Sequence, residues 1–267
     1  MINTCKLKHN MIKLFYNKDF KRIWFDMRET VNILGVDIDK IPMSAAFEKA
    51  DKLMKTEGVS MIFTPNPEII MEASKDEDFK KILNSADICT PDGIGVVYAS
   101  KILKNSVSER VPGFELTKLL LKSASKSGEG VFFFGSKPGV CEMAKEKVEA
   151  MYPGINVCGV HHGYFKPEET EKIVEEINQS GAKLLLVCLG APKQEKWIYA
   201  NREKLCVNLC LGVGGTLDVL SGTAKRAPEI FIKLNLEWLY RIASNPKRWG
   251  RFFALPKFML KVIKEAF

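Results

Sequence analysis

The sequence predicts an α/β fold, an open and mostly parallel sheet with helices on both faces. Three observations carry this. From residue 31 onward, short apolar segments alternate with segments of helical period. The connections between them are short. The strand segments are apolar on both faces, as in the run LLLVCL within 183–189. Strands of that kind belong inside a parallel sheet covered by helices above and below, a Rossmann-like arrangement.

Taken in order, residues 1–29 show no clean period and are set apart as an N-terminal extension. The segment 15–27 mixes aromatics and charges; it fits an extra helix, a peripheral arm, or sequence upstream of a start at Met27. An α/β catalytic domain is expected over 30–236. Residues 32–38 read as a first strand and 44–55 as a helix with apolar positions 46, 47, 50, 53 and 54. A second strand, 59–63, ends at Thr64-Pro65-Asn66-Pro67, where the prolines stop the strand and start a helix. Asn66 is either a ligand group or the cap of that helix. Residues 86–89 form a short strand ending at Thr90-Pro91-Asp92-Gly93, where Asp92 is a site carboxylate or a turn aspartate. A loop carrying Arg110 precedes a helix running to 125. Strand 130–134 ends in Gly135-Ser136 and leads to helix 138–151. Strand 155–160 ends near His161-His162-Gly163-Tyr164, and helix 167–179 follows. Strand 183–189 ends in GAPKQEKW, which puts Gln194 in the first turn of a helix begun by Pro192.

The last strand, 205–211, runs into LGVGGTLDVLSGTAKRAP (211–228). A buried strand that ends in glycines and opens a helix suits a phosphate, because the backbone comes close and the first amides point at the anion. Gly212, Gly214, Gly215 and Thr216 form that turn, Asp218 lies in the first helical turn within reach of a ribose, and Lys225 and Arg226 add mobile positive charge just downstream. Ligands of open α/β sheets bind beyond the carboxyl ends of the strands. Thr64, Asn66, Asp92, Tyr164, Gln194 and Asp218 all fall at those ends, which predicts one site.

Composition narrows the class. With 267 residues, 46% of them apolar, the chain supports one large domain or a domain with an appendage. No apolar run approaches a membrane span of ~20 residues. Seven scattered Cys, an odd number, suit buried thiols in a reducing compartment. Three His are too few and too adjacent for a zinc site. The net charge is +8: residues 225–267 carry +7, residues 1–29 carry +4 and the middle carries −3. A basic tail on a mildly acidic body suggests a polyanionic partner at one end. In 247–267, aromatic and apolar residues alternate with Lys and Arg. That composition predicts a basic, amphipathic helical appendage over 237–267 that lies on an anionic membrane surface. A final core helix or a contact between copies is the alternative, and self-association off the membrane would also cover such a face. Nucleic acid is not expected, since no reader motif appears.

Seven segments in order resemble one family: TPNPE (64–68), TPDGIG (90–95), ERVPG (109–113), GYF (163–165), GAPKQEKW (190–197), GVGGTLDVLSGTAKRAP (212–228) and EWLYRIASNPKRWGR (237–251). They are similar to the WecG/TagA/CpsF glycosyltransferases, glycosyltransferase family 26, from about residue 31 to 251, and most of all to its TagA branch. The resemblance implies inverting transfer of a sugar from a UDP-sugar donor to a polyprenyl-diphosphate-linked sugar at the cytoplasmic membrane face. For the TagA branch it implies N-acetylmannosamine moved onto undecaprenyl-diphosphate-linked N-acetylglucosamine, beginning the wall teichoic acid linkage unit. Relatives use other donor sugars.

The residues suit that chemistry. Asp92 is the expected base for the acceptor hydroxyl, with Arg110 and the Gly212–Gly215 amides stabilising the departing UDP. Gln194, Thr64 and Asn66 would bond the sugar or diphosphate, Tyr164 would stack on uracil, and Asp218 would hold the ribose or base. Arg241, Arg248 and Arg251 resemble the family's tail arginines and would grip the lipid diphosphate. With no DxD pair in the site segments, no metal and no cofactor is expected. Two rivals remain. For a nicotinamide-dependent oxidoreductase, the acidic residue expected at the end of a following strand about 20 residues after the glycine turn is missing. A membrane-associated nucleotide-binding module without catalysis would share the basic tail.

Overall fold

The computed structural model describes residues 28–243 and 253–267. Residues 1–27, with most of the expected N-terminal extension, and the tail arginines Arg248 and Arg251 lie outside the described residues.

The chain opens with a hairpin. Strands β1 (Thr30–Ile33) and β2 (Val36–Asp39) pair antiparallel, Ile33 opposite Val36. One strand was expected over 32–38. The difference comes from Leu34 and Gly35, whose φ angles of 53° and 88° make the two-residue turn that matches strand twist. The hairpin covers an edge of the main sheet. The Asp39 carboxylate, paired with Arg28 at 2.7 Å, accepts from the Cys89 amide at 2.6 Å. A covered edge no longer offers itself to another chain.

Six parallel strands form the main sheet: β3 (Ser60–Phe63), β4 (Ile88–Cys89), β5 (Gly130–Gly135), β6 (Asn156–His162), β7 (Leu184–Cys188) and β8 (Leu209–Gly212), in the order β4-β3-β8-β7-β5-β6. Because successive side chains alternate faces, each strand feeds two cores. On one face Phe63, Phe132, Phe134, Leu185, Val187 and Cys210 are buried under α2 (Pro67–Ala73), α3 (Glu77–Asn84), α4 (Ile94–Ile102), α7 (Thr170–Gln179) and α8 (Lys193–Asn201). On the other, Ile62, Val131, Phe133, Leu186 and Leu211 lie under α1 (Met43–Met54), α5 (Gly113–Ser127), α6 (Val140–Met151) and α9 (Thr216–Leu220). Helices on both faces of a parallel sheet are what the unbroken apolar strands required. At β6 the register with β5 shifts between Val131 and Phe132. There Gly159 faces the Phe132 ring, and a Cβ on it would lie 2.3 Å from Cε2, so only glycine fits.

Beyond β8 come the short helices α10 (Glu229–Lys233) and α11 (Glu237–Ala243), then α12 (Ala254–Ala266). Helix α12, part of the segment expected as an appendage, docks on the body. It packs on α2 and α4 and buries Phe258 and Val262 fully in the first core. Glu265 accepts from the Leu34 amide at 3.1 Å, and Lys261 donates to the Ser74 hydroxyl at 3.2 Å. The outward face leaves Leu260, Ile263 and Phe267 exposed beside Lys257 and Lys264. Among the described residues no helix is long and apolar enough to cross a membrane.

Candidate active site

All six strands of the main sheet end on one cavity of about 880 Å³. It is walled by the loops that leave their carboxyl ends, the position at which open α/β sheets bind ligands. Two of these loops, after β3 and β4, are sewn together with the loop between α4 and α5. The Asp92 amide donates to the Pro65 carbonyl at 3.3 Å, and the Val111 amide to the Pro91 carbonyl at 2.8 Å. The Thr90 hydroxyl, fully buried, donates to the Val111 carbonyl at 3.0 Å. A Cβ at Gly113 would lie 2.8 Å from Thr64 Oγ1, so the start of α5 rests directly on Thr64. These contacts fix Thr64, Asn66, Asp92 and Arg110 in one wall of the cavity.

Asn66 does cap α2. Its Oδ1 accepts from the Glu68 amide at 3.0 Å and the Ile69 amide at 3.1 Å, and Pro67 opens the helix. That leaves the Asn66 amide nitrogen as its group for a ligand. Asp92 is not the cap of α4. Gly93 takes that position with φ 94°, a conformation natural to glycine. Arg110 sits 3.9 Å from the Glu237 carboxylate and donates to the Ile232 carbonyl at 3.5 Å. Arg110 thus already meets the C-terminal segment, which supplies Asn235, Glu237, Trp238 and Leu255 to the cavity rim.

The opposite wall carries the glycine turn. Gly214, Gly215, Thr216 and Asp218 line the cavity, whereas Gly212 lies beneath it, under Gln194. The turn is not a row of amides awaiting an anion. The Gly214 amide, at φ 54°, donates to Gln194 Oε1 at 3.1 Å. Gln194 lines the cavity but is buried to 3% exposure, and its Nε2 donates to Glu195 at 2.8 Å. It braces the turn where direct ligation was expected. Asp218 Oδ2 accepts from the Ser136 hydroxyl at 3.2 Å. Tyr164 stands at the rim, 64% exposed, open to a planar partner. Arg241 falls on α11, with its side chain outside the described residues; Arg248 and Arg251 lie wholly outside them.

The sequence reading passed over or misjudged several wall residues. Ser136 and Lys137 extend the end of β5 into the cavity, a strand end noted for its glycine and not taken further. Arg226 stacks on Phe114 at 4.3 Å and bonds Glu115 at 2.5 Å, so the charge expected to be mobile is fixed. Its partner holds the Glu115 carboxyl below the ordinary value against the opposing pull of burial. Glu195 is 1% exposed, and burial pushes its carboxyl up to about 7. An acidic residue in a first helical turn is so ordinary that only its burial marks it. Among the described residues no group of three His, Cys, Asp or Glu side chains is placed to hold a metal ion.

The glycosyl transferase WecG/TagA/CpsF family model matches residues 31–267. An N-acetylglucosaminyldiphosphoundecaprenol N-acetyl-beta-D-mannosaminyltransferase of Bacillus subtilis is 38% identical over 206 residues, 77% of this chain and 80% of the relative. A protein of the same name from Staphylococcus aureus is 38% identical over 236 residues, 88% of this chain and 92% of the relative. A six-stranded parallel sheet with its cavity at the strand ends, a family match across nearly the whole described body and relatives of this identity lead to one conclusion: the chain belongs to the WecG/TagA/CpsF family and is a glycosyltransferase.

Proposed function

We propose that the cavity transfers N-acetylmannosamine from UDP-N-acetylmannosamine to the N-acetylglucosamine of undecaprenyl-diphosphate-N-acetylglucosamine, the step that begins a wall teichoic acid linkage unit. The observation that carries this is the stitched wall, which holds a carboxylate, Asp92, and a guanidinium, Arg110, on the same cavity as the glycine turn. Inverting transfer asks for that pairing. As the acceptor hydroxyl attacks the anomeric carbon, its proton passes to Asp92 and the bond to UDP breaks. The electron pair leaves on the diphosphate, where Arg110 and the amides of the turn not engaged by Gln194 stabilise it. Arg110 trades its 3.9 Å contact with Glu237 for the diphosphate. Thr64 and the Asn66 amide bond the sugar, Tyr164 stacks on uracil and Asp218 with Ser136 holds the ribose. Arg241, Arg248 and Arg251 grip the lipid diphosphate.

The donor charge is met by cations and backbone amides, so transfer needs no metal and no cofactor; the UDP-sugar is itself a substrate. The enzyme works at the inner face of the cell membrane, held there by the outward face of α12, where apolar residues alternate with lysines. A panel of UDP-sugars with a synthetic prenyl-diphosphate-N-acetylglucosamine acceptor tests the reading. The N-acetylmannosamine product alone is expected by mass, at a rate that chelator leaves unchanged. Preference for another sugar removes the donor assignment, and a rate restored by Mg²⁺ or Mn²⁺ removes the metal-free step.

A further inference from the structure

We propose that Glu195 is a positioning residue for the nucleotide-binding turn, acting through Gln194 on Gly214; this deepens the reading of the site just given and rests on it. Gln194 Nε2 donates to Glu195 Oε1 at 2.8 Å, and Gln194 Oε1 accepts from the Gly214 amide at 3.1 Å. A carboxamide has one donating end and one accepting end, and an ionised carboxylate only accepts. Ionised Glu195 therefore selects the orientation with Nε2 toward itself, which leaves the oxygen for Gly214. The flipped amide would set its oxygen against a carboxylate and its NH₂ against an N–H. Two repulsive contacts would replace two hydrogen bonds. Gln194 lies close over Gly212, where an added Cβ would come within 3.1 Å of Nε2, so any larger residue there would crowd the brace. The amide so held belongs to the turn that lines the cavity between β8 and α9.

The same carboxylate is expensive to keep ionised. Among the described residues its Oε2 has no hydrogen-bond partner. Burial raises its pKa to about 7, Glu72 of α2 adds to the rise, and the Gln194 bond opposes it. The Cys89 thiol at the end of β4 is the other titratable group it feels. From α3, the Asp76–Lys196 pair at 2.7 Å closes the seam with α8 on the solvent side. Strands β3, β7 and β8 present apolar side chains to α8. Protonated Glu195 can donate as well as accept, so it tolerates both orientations of Gln194. The turn is accordingly fixed above pH 7 and released below it.

The ligand-free protein gives the first test. The Gly214 amide resonance is expected to shift with pH near 7 in the wild type and to stay flat in Glu195→Gln. UDP-N-acetylmannosamine is the binding probe, because its diphosphate is esterified at both ends and does not titrate near 7. At pH 8 its affinity is expected to fall roughly tenfold in Glu195→Gln, about the worth of one hydrogen bond, with no fall in thermal midpoint. Because Glu195 acts through Gln194, Gln194→Ala and the double variant Gln194→Ala/Glu195→Ala should bind the probe alike. A flat Gly214 resonance in the wild type, equal affinities for Glu195→Gln and wild type, or additive losses would overturn the proposal. Binding of UDP without UDP-N-acetylmannosamine would refute the donor assignment instead, and the same comparison made with UDP at pH 8 then decides the role of Glu195.

Discussion

The two rims of the cavity are built differently. The sheet rim is an extension of the core. The strand residues Phe63, Cys89, Phe134 and Leu211 are fully buried, and the loops they launch are bonded to one another. The C-terminal rim comes from short helices that leave Ile230, Leu234 and Phe253 more than 60% exposed. Even there one part is anchored, since α12 places Phe258 and Val262 in the core. The contrast assigns labour. In the proposed mechanism, the groups that meet the reacting atoms sit on the sheet rim, because a displacement of one ångström there costs rate. The proposed lipid acceptor would meet the other rim, whose apolar surface is still available.

The contrast can be broken at four points. Asp92→Asn lies on the sheet rim and removes the base of the proposed mechanism. It should lower kcat by roughly 10²- to 10⁴-fold with UDP affinity near that of the wild type. Loss of UDP binding in a folded variant would make Asp92 structural. Phe258→Ala tests whether α12 belongs to the body. Emptying a fully buried aromatic site should cost about 3–5 kcal/mol in denaturant unfolding. A cost under about 1 kcal/mol would make the helix a loosely held appendage.

Glu195→Gln sets stability against function on the rigid rim. The carboxyl's pKa is raised in the folded state to about 7, so between roughly pH 5 and 7 the unfolded chain gives up this proton first. Wild-type stability from this group falls as pH rises through that window, by about 3 kcal/mol at most. The glutamine variant should lack that fall, and parallel stability–pH curves for the two proteins would show that Glu195 titrates normally. The smallest effect belongs to the outer rim. Replacing Lys257 and Lys264 by Gln should weaken binding to anionic vesicles by about 1 kcal/mol per charge, leaving turnover of a short, water-soluble acceptor intact. Unchanged vesicle binding would take α12 out of membrane attachment.

The sequence was legible where physics is local. Apolar period, Pro and Gly placed the strands, and strand direction placed Thr64, Asn66, Asp92, Tyr164, Gln194 and Asp218 around one cavity. It misread 32–38 because one glycine separates a bent strand from a hairpin. It gave Arg226 freedom that Glu115, 111 residues away, removes. It assigned Gln194 to the ligand because nothing along the chain says where a side-chain amide points.

By itself, then, the order of residues determined the layered sheet, the edge that binds and the chemical types gathered there, because periodicity and chain direction are properties of neighbours. Only the tertiary structure decided that Gln194 braces Gly214, that Glu195 is buried and that α12 is half core. Those are pairings across tens to hundreds of residues. They depend on which surfaces meet after the sheet has closed, and on what water is excluded when they do.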